Sequence, residues 1–150
     1  MNKLQMKNEL FVTHRGIVYP DQCDHMGHLN VSHYVSKFDQ ATWQMFAAIG
    51  VTPGYMRDNQ RGVAAVRQEI TYRRELLPGD VITIRTGVLE MRERVIRFYH
   101  EMTNDETGEI AATTIITGVH MDTQARKACP FPDEILARGR QMLTGYQPVM

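Results

Sequence analysis

Within the stretch DHMGHLN, residues 24–30, the chain places one carboxylate, two imidazoles and one carboxamide. Asp24 can attack an electrophilic carbon, or take a proton from a water that does so. His28 can orient that water or Asp24 itself, imidazole being the side-chain type suited to exchanging protons near neutrality. Val31 then opens an apolar pattern at helical spacing, so the amides of Val31 and Ser32 lack acceptors within the helix. They sit at the positive end of its dipole and can polarise a carbonyl. Plainer readings stand beside these: Asp24 or Asn30 as the helix cap, and His28 as a solvated loop histidine.

Other groups carry weaker signals. Glu75, after Arg73 and Arg74 in ITYRREL, can supply a second carboxylate, from the same subunit or across an interface. As an ordinary exposed side chain it would pair with one of those arginines. Glu69 lies on the same side by the two-residue strand period. Arg92, Arg94 and Arg97 can bind phosphates, or form a solvated charge run. Asp21, Asp24, His25, His28 and His33 are metal-ligand types, but neither HExxH nor a 2-His-1-carboxylate spacing is present, so no metal and no cofactor is expected.

These residues need elements to hold them. Residues 11–19, FVTHRGIVY, are rich in β-branched and aromatic types and stop at Pro20, which predicts a strand. From Val31 the apolar positions Tyr34, Val35, Phe38, Ala41, Met45, Ala48 and Ile49 mark one face of a long helix, capped by Asn30 and stopped by Gly50. VTPGYMRDNQRG reads as a connection. Residues 63–76, 81–91, 95–103 and 110–121 read as strands, separated by Pro78-Gly79-Asp80, a charged link at 92–94 and a turn at 104–108. In the third of these, Ile96, Phe98, His100 and Met102 alternate with Arg97, Tyr99 and Glu101, predicting one buried and one wetter face. DEILARGRQM after Pro132 predicts a short helix. One long helix cannot cover both faces of a doubly wound sheet, so the order implies an α+β fold: a curved antiparallel sheet around one helix.

The 150 residues suit a single domain, 1–150, and 43% hydrophobic with 23% charged residues places it among folded globular chains. Lys plus Arg equals Asp plus Glu, at 17 each, so no net field draws in nucleic acid or an anionic membrane. Ten methionines read as core filler. Cys23 and Cys129 match no metal or redox spacing and read as reduced cysteines. MNKLQMKNEL has no apolar leader core and no stretch nears the roughly 18 apolar residues of a membrane span, which together predict a cytoplasmic protein.

The element order, with a polar Asp-bearing loop before the helix and Tyr34 one turn into it, resembles the hotdog superfamily, in particular the 4-hydroxybenzoyl-CoA thioesterase type. The resemblance spans roughly residues 10–122. DHMGHLN also looks like the Asp-three-residues-His-x-Asn pattern of acyl-CoA and plant acyl-carrier-protein thioesterases, and ITYRREL like the plant strand that ends in a functional carboxylate. Where the plant enzymes carry Asn two residues after the Asp, this chain has Met26; His25 and His33 fall outside the pattern. The resemblance implies a hotdog fold with a five-stranded antiparallel sheet around one long central helix and a short C-terminal helix. It implies hydrolysis of an acyl-CoA thioester, with Asp24, His28 and Glu75 as catalytic candidates, Asn30 and Val31 as positioning and oxyanion candidates, and Arg92, Arg94 and Arg97 as CoA candidates. An acyl-thioester hydratase or dehydratase, and a non-catalytic acyl-CoA-binding module, are the alternatives; for the first the helix interior offers Asp39 but no His after His33, and for the second no basic or helical DNA-binding extension is expected. Exposed sheet edges add the expectation of a homodimer, or a tetramer built from it, with the site at the subunit interface. Trp43, Phe46, Tyr55 and Tyr72 can line an acyl pocket or belong to the core.

Overall fold

The computed structural model describes residues 9–150; of the MNKLQMKNEL terminus read for a leader, all but Glu9 and Leu10 lie outside the described residues. Helix α1 (Val31–Ile49) begins and ends where local chemistry dictates. The Asn30 side chain accepts the Ser32 amide, and Gly50, at φ 97°, takes a left-handed conformation that a β-carbon disfavours. Tyr34, Phe38, Ala41, Met45 and Ile49 form its buried stripe.

Five strands curl around that stripe: β1 (Phe11–Ile17), β2 (Arg61–Tyr72), β3 (Val81–Met91), β4 (Val95–Asn104) and β5 (Ile110–Asp122). Their order is β1-β3-β4-β5-β2, antiparallel throughout, and β6 (Lys127–Ala128) adds a short pairing to β5. Helix α3 (Asp133–Gln141) packs Ile135 and Leu136 into the core beside Val88 and Met91. This is the sheet wrapped around one helix that the hotdog resemblance implies. Burial of side chains such as Phe38, Phe98 and Met45, each 0% exposed, contributes about 1.5–3 kcal/mol apiece. Among the described residues no helix is long and apolar enough to cross a membrane.

A polar chain pins α1 to the sheet. Thr42 Oγ1 donates to the Phe38 carbonyl at 3.0 Å, so its oxygen accepts from His100 Nε2–H at 2.8 Å. His100 Nδ1 then accepts from Thr86 Oγ1 at 2.6 Å, whose own oxygen accepts the Thr13 hydroxyl at 2.8 Å. Every member is satisfied and the histidine is neutral: full burial pushes its pKa down to about 3.

Three expectations change. The connection after α1 contains α2 (Pro53–Asn59), capped by Thr52 Oγ1 accepting the Tyr55 amide, with Pro53 in the first turn where a missing N–H costs nothing. Strand β2 stops at Tyr72 rather than running to residue 76, so Glu75 sits beyond the strand. The second face of β4 is also buried at Tyr99 and Glu101. The C-terminal segment covers it: Tyr146 stacks on Tyr99, and both hydroxyls donate to Glu101 Oε2, at 2.8 Å from Tyr99 and 2.6 Å from Tyr146.

Candidate active site

The loop 24–30 is closed on itself before it meets the helix. Cys23 and Leu29 form an isolated bridge, Asp24 N–H donates to the His28 carbonyl, and Gly27 N–H donates to the Asp24 carbonyl. Gly27 takes φ 85°, in the left-handed region that favours glycine. The loop is anchored outward through Leu29 N–H to the Leu76 carbonyl at 2.8 Å and Asn30 N–H to the Gln22 carbonyl at 3.0 Å.

Asp24 is woven into this frame. Its Oδ1 accepts the Met26 amide at 2.8 Å, and its Oδ2 accepts Asn30 Nδ2 at 2.9 Å. Asn30 in turn uses Oδ1 to accept both the Ser32 amide, at 3.0 Å, and the Ser32 hydroxyl, at 2.7 Å. Asn30 thus caps the helix and at the same time hydrogen-bonds the Asp24 carboxylate. The Asn30 hydrogen bond first, and the Met26 amide second, hold the Asp24 carboxyl below its usual pKa, so it is ionised at neutral pH.

That cap consumes one of the two amides expected to be free. Ser32 N–H is taken by Asn30, and His33 N–H donates to the Asn30 carbonyl, whereas Val31 N–H has no partner among the described residues. Val31 lines a surface depression of about 240 Å³ together with His28, Tyr34, Tyr72, Arg73 and Glu75. Here His28 Nε2 lies 3.6 Å from Glu75 Oε1, with His28 about a quarter exposed and Glu75 largely so. The tertiary structure thus brings His28, Glu75 and the Val31 amide together, while Asp24, hydrogen-bonded to Met26 and Asn30 in the same loop, is not among the residues lining the depression.

Tyr34 is buried beneath this depression. Its hydroxyl donates to the Arg74 carbonyl at 3.3 Å, tying the first turn of α1 to the segment that carries Glu75. Burial pushes its pKa up to about 12, so at neutral pH it is a donor and not a base. Tyr72 meets it edge to face at 5.2 Å.

The remaining candidates lie elsewhere or are engaged. Arg74 pairs with Glu109, so neither it nor Arg73 is the partner of Glu75. Glu69 pairs with Arg67 at 2.6 Å. Arg92 and Arg97 each lie 3.6 Å from Glu90. The 92–94 turn follows Met91, whereas Val81, at the other end of β3, pairs with Ile17 near the loop; an eleven-residue strand separates them, roughly 30 Å. Among the described residues no three His, Cys, Asp or Glu side chains are grouped to hold a metal ion. Arg73 lines the depression with no side-chain partner among the described residues, and sequence reading gave it no role of its own. Its only local signal was the Arg-Arg pair before Glu75.

Residues 18–139 match the model of a family described as the thioesterase-like superfamily. The betainyl-CoA thioesterase of Pseudomonas aeruginosa is 22% identical over 131 residues, covering 87% of this chain and 82% of that protein. The L-carnitine dehydrogenase/betainyl-CoA thioesterase of Rhizobium meliloti is 24% identical over 123 residues, 82% of this chain; the chain spans only 25% of that longer relative. A Staphylococcus aureus protein solved in complex with CoA superposes with a TM-score of 0.86 at 18% identity, over 97% of this chain and 90% of that one, and so shares the fold.

Proposed function

The chain belongs to the thioesterase-like superfamily, and from that premise we propose that it hydrolyses an acyl-CoA thioester to the free carboxylate and CoA where the 24–30 loop meets α1. The observation that carries this reading is the Val31 amide, unpartnered at the positive end of the helix dipole and lining the depression beside His28 and Glu75. A thioester carbonyl held there gains an oxyanion donor as its carbon becomes tetrahedral. Asp24, already ionised, attacks that carbon to give an anhydride that water opens, or takes the proton from an attacking water. In either route the C–S bond breaks and the CoA sulfur leaves as thiolate to be protonated. The names of the two relatives, both betainyl-CoA thioesterases, and the CoA complex of the structural neighbour support a CoA thioester as substrate. Arg73, with no side-chain partner among the described residues, is suited to a CoA phosphate; Arg92, Arg94 and Arg97 sit where they serve only a CoA that extends far from this loop.

A second reading of the same reaction rests on the 3.6 Å His28–Glu75 pair. There Glu75 orients His28, which takes the proton from water, and Asp24 only holds the loop.

The proposal includes a homodimer formed along β2. That strand is a sheet edge whose residues 64–69 are exposed, Val66 at 62%. A second copy pairing there would wall the site with its own surface.

Thiol release from a panel of short, long, aromatic and charged acyl-CoAs tests the reaction. Asp24→Asn is expected to lose turnover by a factor of roughly 10² or more if Asp24 acts on the carbonyl or on water. The carboxamide that this substitution introduces has one acceptor for two donors, so its NH2 faces either Met26 N–H or Asn30 Nδ2 donor to donor, and thermal unfolding is measured alongside to separate lost chemistry from a loosened loop. Turnover unchanged in Asp24→Asn but lost in His28→Gln would transfer the role to the histidine. Water addition to an enoyl-CoA, or acyl-CoA binding without turnover, would favour the hydratase or binding-module alternatives.

A further inference from the structure

Farther along α1 from the depression at Val31, a second cavity opens between the helix and the sheet. Val35, one turn beyond Val31, and Asp39, Trp43 and Phe46 farther along continue the same side of the helix, and they line a cavity of about 120 Å³ with Gln68 of β2 and Phe98 of β4. Most of this lining is apolar or aromatic. Asp39 is its only charged residue, no lysine or arginine lines it, and the Asp39 carboxylate has no hydrogen bond or ion pair among the described residues. Trp43 and Phe46 meet edge to face at 5.7 Å and 76°, and Phe46 and Phe98 at 5.7 Å and 73°. Such perpendicular rings make a stepped corner rather than a closed stack, and Trp43 remains 45% exposed beside Asp39, its neighbour one helical turn away.

We propose that this corner is a subsite for a positively charged acyl end, a quaternary or protonated alkylammonium; the assignment rests on the acyl-CoA reading above and names the substrate class of that site. Ring faces carry negative electrostatic potential and attract a bulky organic cation, and the adjacent carboxylate supplies the counter-charge. A neutral aliphatic or aryl end would fill the same apolar walls but strip water from Asp39 with nothing in return, which disfavours it. A bare metal ion is equally unsuited, with one carboxylate and otherwise apolar surroundings. Reach adds a constraint. Asp39 follows Val31 by eight residues, about 12 Å along the helix, so a carbonyl held at the Val31 amide and a cation at Asp39 are joined by a spacer running past Val35. The substrate class is therefore an acyl chain of medium length charged at its far end. Pairing of a second copy along β2 would cover the open side of the cavity and strengthen the contact by excluding water.

The test uses matched CoA thioesters of the same medium chain length, one ending in trimethylammonium and the other in the isosteric tert-butyl group. Wild-type protein is expected to favour the charged substrate roughly tenfold in kcat/KM, and Asp39→Asn to bring that ratio towards one. Trp43 is the only tryptophan, so its fluorescence reports the corner without any turnover. Titration with the free trimethylammonio-acid should change the emission at concentrations where the tert-butyl acid does not, and Asp39→Asn should abolish the difference. Hydrolysis of both thioesters at equal efficiency, unaltered by Asp39→Asn, with no selective fluorescence change, would overturn the subsite and leave the thioesterase reading intact. No hydrolysis of any acyl-CoA, with selective fluorescence that Asp39→Asn removes, would overturn the hydrolase reading and uphold the cation site.

Discussion

At the scale of single residues, Asp24 and Asn30 are best understood as a pair. Asn30 is the helix cap and also the strongest influence holding the Asp24 carboxyl below its usual pKa. Removing it tests both roles at once. Asn30→Ala is expected to cost about 1 kcal/mol of stability through the lost cap, read from urea unfolding. The same change frees one oxygen of Asp24, so its pKa rises towards the ordinary carboxylate value. If Asp24 acts on the thioester or on water, the acidic limb of kcat/KM should move to higher pH in Asn30→Ala. A limb that stays in place while stability falls would assign Asn30 to capping alone. His28 and Glu75 were both visible in the sequence as polar residues of the right kinds. Their meeting was not, because they are separated by α1, α2 and the whole of β2, and Glu75 comes near only because β2 ends at Tyr72 and the chain turns back towards Leu29.

At the scale of elements, α1 and its hold on the sheet dominate. Its limits follow from a side-chain cap, an apolar stripe and a glycine stop, all local features and all legible. The His100 pin is different: one strand residue that alternation places on the buried face turns out to be a neutral histidine locked between Thr86 and Thr42. Its pKa falls from 6.5 to about 3 on folding, so between those values the unfolded chain binds a proton that the folded chain refuses. The stabilisation is complete above about pH 6.5 and is lost progressively as pH drops towards 3. His14 and His120, also lowered by burial, act with the same sign. Urea midpoints are therefore expected to fall between pH 7 and pH 4, and the fall should be shallower in His100→Gln, which also starts less stable because it opens the threonine chain. A midpoint independent of pH over that range would mean that His100 is not buried in neutral form.

At the scale of the whole molecule, the unequal treatment of the sheet is the informative feature. Strands β3, β4 and β5 bury most of their residues, while β2 leaves residues 64–69 exposed at the sheet edge. Val66 is the extra residue of a bulge opposite β5, and its side chain contributes little to the fold of one subunit. Under the proposed dimer, sedimentation should give twice the 17.2 kDa chain mass, and Val66→Lys should shift the population to monomer while thermal unfolding of the monomer stays cooperative. Loss of turnover in step with the dimer would place the site at the interface; full activity of the monomer would separate the two.

The sequence by itself determined the elements and the identity of the polar loop, because periodicity, caps and turn residues act over a few neighbouring positions. It missed α2, where a Thr-Pro start was read as a connection, and it left the outer face of β4 wet, because the segment that covers Tyr99 and Glu101 arrives from 45 residues away. Only the tertiary structure decided, among the described residues, which amide stays unpartnered, which arginine has no side-chain partner, and that Asp39, Trp43 and Phe46 meet Phe98 in one cavity. These are properties of who meets whom across the chain, and hydrogen-bond competition and packing settle them only once the sheet has closed around the helix.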